Sequence, residues 1–350
     1  MIVRPLTEYC TLNMGQSPDS KTYNTQGKGL PFYQGNADFG ETHPITHVWC
    51  SAPVKVAEDG DILISVRAPI GAMNMAVERC CIGRGLAALT PIRNKCSKQF
   101  LYYALQSKVD SLIAQGTGST FKAISKKVLE ATCIPAYSTI EQEQIAETIG
   151  HVDNTIAARR KQLALLDQLV KSRFIELFGD PVLNQHGWRK VALEVNATLL
   201  NGRAYKQDEL LDSGKYPVLR VGNFFSNRGW YYSDLELDDD KYCDNGDLLY
   251  AWSASFGPQI WNGGKVIYHY HIWKVLVGEA YNKQFLCKLL EYATESLMGD
   301  THGIAMMHLT KSGMEKTEFI VPPIERQEQF AAFLEQTDKS KLCGRTEVAA

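Results

Sequence analysis

The chain has 350 residues, of which 45% are apolar and 22% charged, and this length predicts two domains rather than one. It has no uninterrupted apolar run of the roughly 18 residues that span a membrane, and its first residues lack a signal-peptide core, so we expect a cytoplasmic protein with no membrane partner. Nine cysteines without a Cys-x-x-Cys pair favour reduced thiols over disulfides or zinc, and a net charge of −2 argues against a strongly basic protein.

The charge is distributed unevenly along the chain. Residues 1–139 hold 14 Lys and Arg against 10 Asp and Glu, whereas residues 179–323 hold 14 against 18. Much of the acidic excess lies between Asp234 and Asp247. If the ligand is DNA, we expect this acidic stretch to face away from it and a partner to supply part of the positive surface.

Residues 1–139 have the pattern of an α+β domain. Short apolar runs such as Ile62–Val66 lie between Gly, Pro and Asn turns and predict strands, and a helix is predicted near Phe100. Cys80 and Cys81 are interpreted as small buried apolar residues.

Residues 140–178 predict one long coiled-coil helix, because they contain no proline and follow a heptad pattern. At 1.5 Å per residue it would be about 57 Å long. Pro135 precedes it, and Gly179-Asp180-Pro181 should end it. The alternative is an amphipathic helix packed on one domain. The apolar seam positions are Ile145, Ile149, Val152, Ile156, Leu163, Leu166, Val170 and Leu177, with Arg159 and Arg173 in the two remaining places.

The second part of the chain repeats this order. Residues 179–323 predict a second α+β domain, with a strand at Leu248–Trp252 and a helix near Phe285. Residues 324–343 begin a second coiled-coil helix whose heptad fails at Thr337 and Lys341. We therefore expect a short distal helix, followed by a flexible tail at 344–350.

Four blocks recur in the same order at almost constant offset. GDILISVRAPIG from Gly60 matches GDLLYAWSASFG from Gly246, and KQFLYYAL from Lys98 matches KQFLCKLL from Lys283. Two further pairs are GSTFKAISK with GIAMMHLTK, and EQIA with EQFA. The chain is therefore interpreted as a duplicated domain of α+β class, with the long helices between and after the copies.

These blocks resemble a known family. The segment from Ile134 to Pro181 is similar to the central conserved region of type I restriction-modification specificity subunits, and GLPFYQG from Gly29, GDILISVRAPIG and GTGSTFKAISK from Gly116 resemble their target-recognition domains. The resemblance covers nearly the whole chain.

The resemblance implies a subunit without catalytic residues. Each domain would read one half of a split sequence in double-stranded DNA. The two helices would pair antiparallel, here over about half of the first helix, and their length would set the unread spacer. Two modification subunits would dock on this scaffold and carry S-adenosylmethionine and the methylation chemistry, and restriction subunits would join them. A short distal helix departs from the family pattern; it indicates a truncation or a helix supplied by a partner chain.

Loop residues with hydrogen-bonding side chains are the candidates for DNA contact, because base edges and phosphates are recognised by such groups. The copies keep their glycines and apolar positions but differ at these polar positions, as two domains that read different half-sites should. In the first copy the candidates are Gln34, Asn36, Ser65, Arg67, Arg84, Thr117, Ser119, Thr120 and Lys122. In the second copy they are Arg220, Asn223, Trp252, Ser253, Ser255, His302, Met307 and His308.

The sequence lacks the usual motifs of catalysis. Gly83-Arg84-Gly85 and Gly116-Thr117-Gly118 are too short for a cofactor loop and are interpreted as turns, and no nucleotide-binding P-loop occurs. No metal site is predicted; the alternation at His269 and His271 suggests one face of a strand. Asp61 and its counterpart Asp247 are interpreted as turn residues.

Two other classes of function stay open from the residues alone. An enzyme with dispersed catalytic carboxylates predicts a deep pocket, with acids of shifted pKa, in one copy only. A coiled-coil adaptor that binds only protein predicts no basic concave face on either domain.

Overall fold

A computed structural model gives the architecture and describes residues 2–118, 122–226, 229–253, 255–299 and 310–349, with the side chains of 295–299 and 343–349 left out. The chain divides into two compact units, unit 1 (residues 1–157) and unit 2 (residues 158–350). The boundary lies inside the central helix, whereas the sequence placed domain boundaries on either side of it.

Unit 1 combines short strands with helices. Its strands are β1 (Val3–Pro5), β2 (Cys10–Met14), β3 (Tyr23–Asn24), β4 (Leu30–Tyr33), β5 (Trp49–Cys50), β6 (Val56–Ala57), β7 (Ile62–Ser65), β8 (Met73–Met75), β9 (Cys80–Ile82), β10 (Leu86–Pro91) and β11 (Cys133–Pro135). Its helices are α1 (Lys98–Gln106), α2 (Val109–Ala114), α3 (Lys126–Ala131) and the first part of α4 (Thr139–Phe178).

Unit 2 has a similar succession of elements, with two short helices among its strands. Its strands are β12 (Lys190–Ala192), β13 (Ala197–Asn201), β14 (Tyr216–Leu219), β15 (Tyr231–Ser233), β16 (Tyr242–Cys243), β17 (Leu248–Ser253), β18 (Ser255–Ile260), β19 (Val266–Tyr268), β20 (Ile272–Val277) and β21 (Glu318–Ile320). Its helices are the rest of α4, α5 (Leu193–Asn196), α6 (Val221–Phe225), α7 (Lys283–Gly299), α8 (Lys311–Lys316) and α9 (Ile324–Ala349).

The sheets confirm the duplication. A four-stranded sheet has the order β2-β10-β7-β8 in unit 1 and β13-β20-β17-β18 in unit 2, and both are antiparallel. Each unit also has a second sheet that contains one parallel pair of strands. This pair is β4 with β9 in unit 1 and β14 with β19 in unit 2. The first and last strands of each unit also pair, β1 with β11 and β12 with β21. The predicted α+β class with two similar domains is confirmed.

The central strands of the four-stranded sheets are buried on both faces. In β7, Ile62 and Ile64 pack into the core beneath α1, whereas Leu63 packs into the core on the opposite face. In β17, Leu248 and Tyr250 face one core and Leu249 faces the other. Burial on both faces explains why these strands appear in the sequence as continuous apolar runs rather than as alternating patterns. Cys80 and Cys81 are fully buried, as predicted, and burial raises the pKa of Cys80 to about 12.

The central helix spans Thr139–Phe178, so the predicted helix over 140–178 is confirmed. Gly179 follows with a left-handed backbone (φ 74°), which glycine adopts without steric cost and which ends the helix. Along the predicted seam, Val170 is buried in unit 2, whereas Ile149 and Val152 are exposed. The seam is therefore covered at Val170 and, in unit 1, at Ile145, which packs against the core, whereas it is open at Ile149 and Val152.

The distal helix is longer than the sequence predicted. Helix α9 continues to Ala349, so the predicted end at 343 and the flexible tail at 344–350 are wrong. The two polar residues that interrupt the heptad have partners: buried Thr337 donates its hydroxyl to Phe333 O (2.9 Å), and Lys341 Nζ lies 2.8 Å from Asp167 Oδ1 of α4. Polar contacts thus continue the helix where the apolar pattern stops.

The pairing of α9 with α4 is antiparallel. The rings of Phe330 and Phe174 lie 5.4 Å apart, whereas further along α9 Lys341 meets Asp167, which precedes Phe174 in α4. These contacts lie in the second half of α4, as expected from the length of the distal heptad.

Candidate nucleic-acid interface

Four loop segments of unit 1 lie side by side at one end of the four-stranded sheet. The N–H of Gly85 donates to Gln34 O (3.2 Å), that of Val66 to Gly85 O (2.9 Å), and that of Ile124 to Val66 O (2.9 Å). We call this set the loop row of unit 1: Gln34, Gly83–Gly85, Val66–Arg67 and Lys122–Ile124. It brings together candidate residues that are up to about ninety positions apart in the sequence.

The exposed side chains of this loop row are mostly cationic. Arg84, Arg67 and Lys122 are exposed, each on a different segment. The amide of exposed Gln34 donates to Ser17 Oγ (3.0 Å), and the same hydroxyl accepts from the N–H of Arg84 (3.3 Å). Ser17 was missed from the sequence, because only the pairing of β2 with β10 carries the chain after β2 to Arg84.

Glycines on either side of Arg84 allow its loop to touch the next one. A Cβ on Gly83 would lie 2.9 Å from Gln34 Cα, and one on Gly85 would lie 2.5 Å from Gln34 O. Both neighbours are backbone atoms that cannot move aside as a side chain end could. The predicted turn at Gly83-Arg84-Gly85 thus holds two loops in contact and leaves Arg84 as its projecting side chain.

A second backbone pairing places Thr117 beside Lys122. Thr117 and Ala123 exchange N–H···O bonds of 3.0 and 2.9 Å, and the N–H of Ala68 donates to Lys122 O (3.1 Å). Exposed Thr117, Lys122 and Arg67 are therefore neighbours at the end of the loop row. The structure brings together these candidates although they come from separate turns.

Two candidates of the first copy are placed differently. Ser65 is 1% exposed, and its hydroxyl donates to Arg67 O (2.8 Å), so it shapes the loop and is not available to a ligand. Asn36 is half-buried in the turn after Gln34, where the Asp38 carboxylate accepts from the N–H of Gln34 (2.6 Å). Ser119, Thr120, His302, Met307 and His308 lie outside the described residues.

Unit 2 has backbone bonds equivalent to two of those in unit 1. The N–H of His269 donates to Leu219 O (2.9 Å), as that of Gly83 does to Tyr33 O (2.8 Å). The N–H of Trp252 donates to His271 O (3.0 Å), as that of Val66 does to Gly85 O. The loop row of unit 2 is Arg220, His269–His271 and Trp252–Ser253. Arg220 thus corresponds to Gln34, Tyr270 to Arg84, and Trp252 to Val66.

The side chains of this second row are largely aromatic. Tyr270 is 39% exposed, and its ring lies 5.9 Å from that of half-buried Trp252. The Arg220 guanidinium lies over the Tyr231 ring at 4.2 Å, and Asn223 donates to Gly229 O (3.2 Å) in the same region. Ser253 and Ser255 pair at the ends of β17 and β18, beside Trp252.

Arg203 also lies on this row and was missed from the sequence. Its N–H donates to Tyr268 O (3.0 Å), so it occupies the place that Gln16 has in unit 1. Its guanidinium donates two hydrogen bonds to the Glu209 carboxylate (2.8 and 2.7 Å), which lower the pKa of Glu209 to about 2. This fork positions Arg203 but occupies donors that could otherwise face a ligand.

His269 and His271 do not lie on a strand. They belong to the turn between β19 and β20, so the prediction from their alternation is wrong; the rings nevertheless lie 4.7 Å apart. Burial lowers the pKa of His269 to about 4, with His271 and Arg220 acting in the same direction, and burial also lowers the pKa of His271. Both imidazoles are therefore neutral at pH 7.

The lowered pKa of His269 predicts a pH dependence of stability. Between pH 6.5 and 4 the unfolded imidazole binds a proton that the folded one rejects, so the unfolding free energy should fall as the pH falls through this range. Urea unfolding at several pH values should show a shallower slope for His269→Gln than for wild type. Replacement of exposed His186 by Gln is the control. Identical slopes for wild type and His269→Gln would contradict the assignment.

Asp61 and Asp247, which precede β7 and β17, have structural roles. The Asp61 carboxylate accepts from the N–H of Glu58 (2.9 Å), and Asp247 accepts in the same way from Asp244 (2.8 Å). Burial raises the pKa of Asp61. The same turn thus occurs in both copies, at the start of β7 and β17 and away from the loop rows.

Within the described part of the chain, no three His, Cys, Asp or Glu side chains cluster as a metal site, and no helix is apolar and long enough to cross a membrane.

The comparisons with known proteins agree with this duplication. The model of the type I restriction modification DNA specificity domain matches residues 1–168 and again residues 186–345. The putative type I restriction enzyme MjaX specificity subunit of Methanocaldococcus jannaschii is 41% identical over 164 residues, which are 47% of this chain and 39% of that protein. The MjaIX specificity subunit of the same organism is 22% identical over 352 residues, covering 88% of this chain and 80% of the relative.

A solved structure shares the fold over almost the whole chain. The type I restriction-modification S subunit from M. genitalium aligns with a TM-score of 0.64 and 16% identity, over 99% of this chain and 92% of that one. With the family model matched twice in succession, the chain belongs to the family of type I restriction modification DNA specificity domains and has the architecture of its specificity subunits.

Proposed function

We propose that this chain is the DNA-reading, non-catalytic subunit of a type I restriction-modification enzyme, in which each unit reads one half of a bipartite duplex sequence. The observation that carries the proposal is the pair of loop rows. Equivalent backbone bonds hold them, but their exposed side chains differ. A conserved backbone arrangement that carries different exposed side chains is what two domains that bind different base sequences require.

The charges of the two units are compatible with this role. Unit 1 offers Arg84, Arg67 and Lys122 on one row, and these can meet phosphates and base edges. In unit 2 the acidic stretch is partly neutralised, since Asp240 lies 2.5 Å from Lys241 Nζ and Asp247 lies 2.7 Å from Lys274 Nζ. We expect partner subunits to supply the remaining positive surface.

The central helix offers a surface for those partners. On α4, Leu165 and Leu169 are 54% and 49% exposed, and Ile175 is 39% exposed. Apolar side chains this exposed on a long helix are typical of a protein contact surface. We propose that two modification subunits, which carry S-adenosylmethionine and the methylation chemistry, dock on the helices, that restriction subunits join them, and that the helices fix the gap between the half-sites.

Sequence selection tests the function directly. The full chain would be mixed with its modification subunit and a random duplex library, and the retained duplexes sequenced. We expect enrichment of two short motifs with a fixed gap between them. Absence of any enriched sequence at low salt would contradict DNA reading and favour an adaptor that binds only protein.

Lys122 provides a local test of the loop row. Because it is exposed beside Arg67 and Thr117, we expect Lys122→Ala to weaken binding of the selected duplex by about 1–3 kcal/mol and to relax the preference at one base pair. Fluorescence anisotropy at several salt concentrations would measure the loss. The exposed Lys98 on α1 is the control. A loss that is uniform across sequences and disappears at high salt would show a phosphate contact instead of a base contact.

A further inference from the structure

The two loop rows place chemically different side chains at equivalent backbone positions. The turn that holds Arg84 and the turn that holds Tyr270 are closed by equivalent backbone hydrogen bonds. In unit 1 the N–H of Leu86 donates to Gly83 O, and in unit 2 the N–H of Ile272 donates to His269 O, both at 3.0 Å. An exposed guanidinium in unit 1 therefore corresponds to an exposed phenol ring in unit 2. The two turns share these backbone bonds and differ in the side chain that they present.

Trp252 extends the aromatic surface beside Tyr270. Its indole N–H donates to Tyr270 O (2.9 Å), so the polar atom of the ring system is used within the protein. Its ring stacks on Trp273 with centroids 5.7 Å apart and planes inclined by 18°. Trp252 is thus held rigidly and can offer a ligand only its carbon surface. The corresponding Val66 in unit 1 is buried.

The two arginines beside this aromatic surface contact other side chains of unit 2. Arg203 is held by two bonds to Glu209, and Arg220 lies over the ring of Tyr231 at 4.2 Å. The ring of His271 lies 3.9 Å from that of Tyr270, and burial lowers the pKa of this imidazole, so it adds ring surface and no charge at pH 7. Unit 2 therefore presents the uncharged rings of Tyr270 and Trp252 where unit 1 presents the exposed guanidinium of Arg84.

We propose that the two units read their half-sites by different chemistry: Arg84 of unit 1 donates to the N7 and O6 of a guanine, whereas Tyr270 and Trp252 of unit 2 contact the 5-methyl group of a thymine. This inference rests on the proposed function. Guanine is the base whose major-groove edge offers two acceptors to a guanidinium. Thymine is the base with an apolar group in that groove, and aromatic carbon surface complements a methyl group.

Base analogues test the inference without changing the protein. Once the bipartite sequence has been selected, each thymine would be replaced in turn by deoxyuridine, which lacks only the methyl group, and each guanine by 7-deazaguanine, which lacks only the N7 acceptor. We expect a loss of about three- to five-fold for deoxyuridine at one position in the half-site of unit 2. For 7-deazaguanine in the half-site of unit 1 we expect a loss of about ten-fold.

Matched variants assign these losses to residues. Tyr270→Ala should abolish the difference between thymine and deoxyuridine, whereas Leu276→Ala, an exposed apolar change near the other end of β20, should retain it. Arg84→Ala should abolish the difference between guanine and 7-deazaguanine. The control is Arg79→Ala, since Arg79 pairs with Glu58 (3.2 Å) at the opposite end of β7.

The outcomes separate this inference from the proposed function. If no sequence is enriched, the proposed function itself fails. If a bipartite sequence is enriched but every thymine in the half-site of unit 2 tolerates deoxyuridine, or Tyr270→Ala leaves the methyl discrimination unchanged, DNA reading stands and the aromatic mode is wrong. If 7-deazaguanine has no effect in the half-site of unit 1, the role of Arg84 is wrong.

Discussion

Replacement of Gln142 by methionine should destabilise unit 1 and broaden the range of gap lengths that the protein accepts. The Gln142 side chain is completely buried. Its oxygen accepts from the N–H of Ser97 (3.0 Å), and its amide donates to Lys95 O (3.1 Å) and Tyr137 O (3.0 Å). One side chain thereby fastens the first turn of α4 to the loop before α1. Methionine has a similar volume but leaves all three backbone groups without this partner.

The expected cost is at least about 3 kcal/mol, since each of the three backbone groups that loses its partner away from water costs about 1–3 kcal/mol. Urea unfolding would measure it, and library selection would measure the gap. If α4 sets the gap, as proposed, a loosened junction should accept duplexes one or two base pairs longer or shorter while both half-site motifs stay unchanged. Exposed Gln144 on the same helix is the control. A destabilised variant that keeps a single gap would contradict a positioning role.

The same device occurs in the second copy, which strengthens its assignment. Gln327 is also completely buried; it accepts from the N–H of Asn282 (2.9 Å) and donates to Ala280 O (3.0 Å) and Pro322 O (2.8 Å). The junction between domain and helix is thus built twice with the same contacts.

Phe174→Ala should strongly destabilise unit 2. This side chain is fully buried, and its ring lies 4.9 Å from Tyr292 of α7 and 5.4 Å from Phe330 of α9. It also contacts Phe178 and Phe285, so it joins α4 to both other long helices of the unit. Truncation of a buried phenylalanine costs about 3–5 kcal/mol, because the transfer energy is lost and a cavity remains.

Chemical denaturation would check this expectation. The neighbouring Ile175 is 39% exposed, and Ile175→Ala should cost about 1 kcal/mol or less. The difference between the two variants measures the packing at the junction of the three helices. Similar small losses for both would contradict the arrangement of α4, α7 and α9 described above.

The repeat could be predicted by comparing the sequence with itself, and the central helix could be predicted from its local heptad pattern. Gly60 to Gly71 matches Gly246 to Gly257, and the corresponding strands β7 and β17 occupy the same position in their sheets. The end of α9 could not be predicted in this way. Beyond Thr337 it contacts α4 through the ion pair of Lys341 with Asp167, whose sequence separation hides the contact.

Only part of the candidate site could be predicted, because the sequence identifies loop residues but not the contacts between distant loops. Exposed Arg67, Arg84 and Lys122 were chosen as loop cations, and they meet in one row. Ser65 was chosen with them, but the sequence does not show that its hydroxyl points back to Arg67 O. Ser17 and Arg203 were missed because their place in the row follows from strand pairing and not from composition. Tyr270 could have been found by aligning HYH at 269–271 with GRG at 83–85, since the repeat offset places them together.

Domain exchange tests the central claim most directly. Residues 1–139 would be replaced by the equivalent domain of another specificity subunit with a known target, and the sequences retained by the hybrid and by the parent chain would be compared. Independent reading by two units predicts that one half of the motif changes to that of the donor, while the other half and the gap stay the same. A hybrid that binds DNA but changes both halves, or neither, would contradict the account.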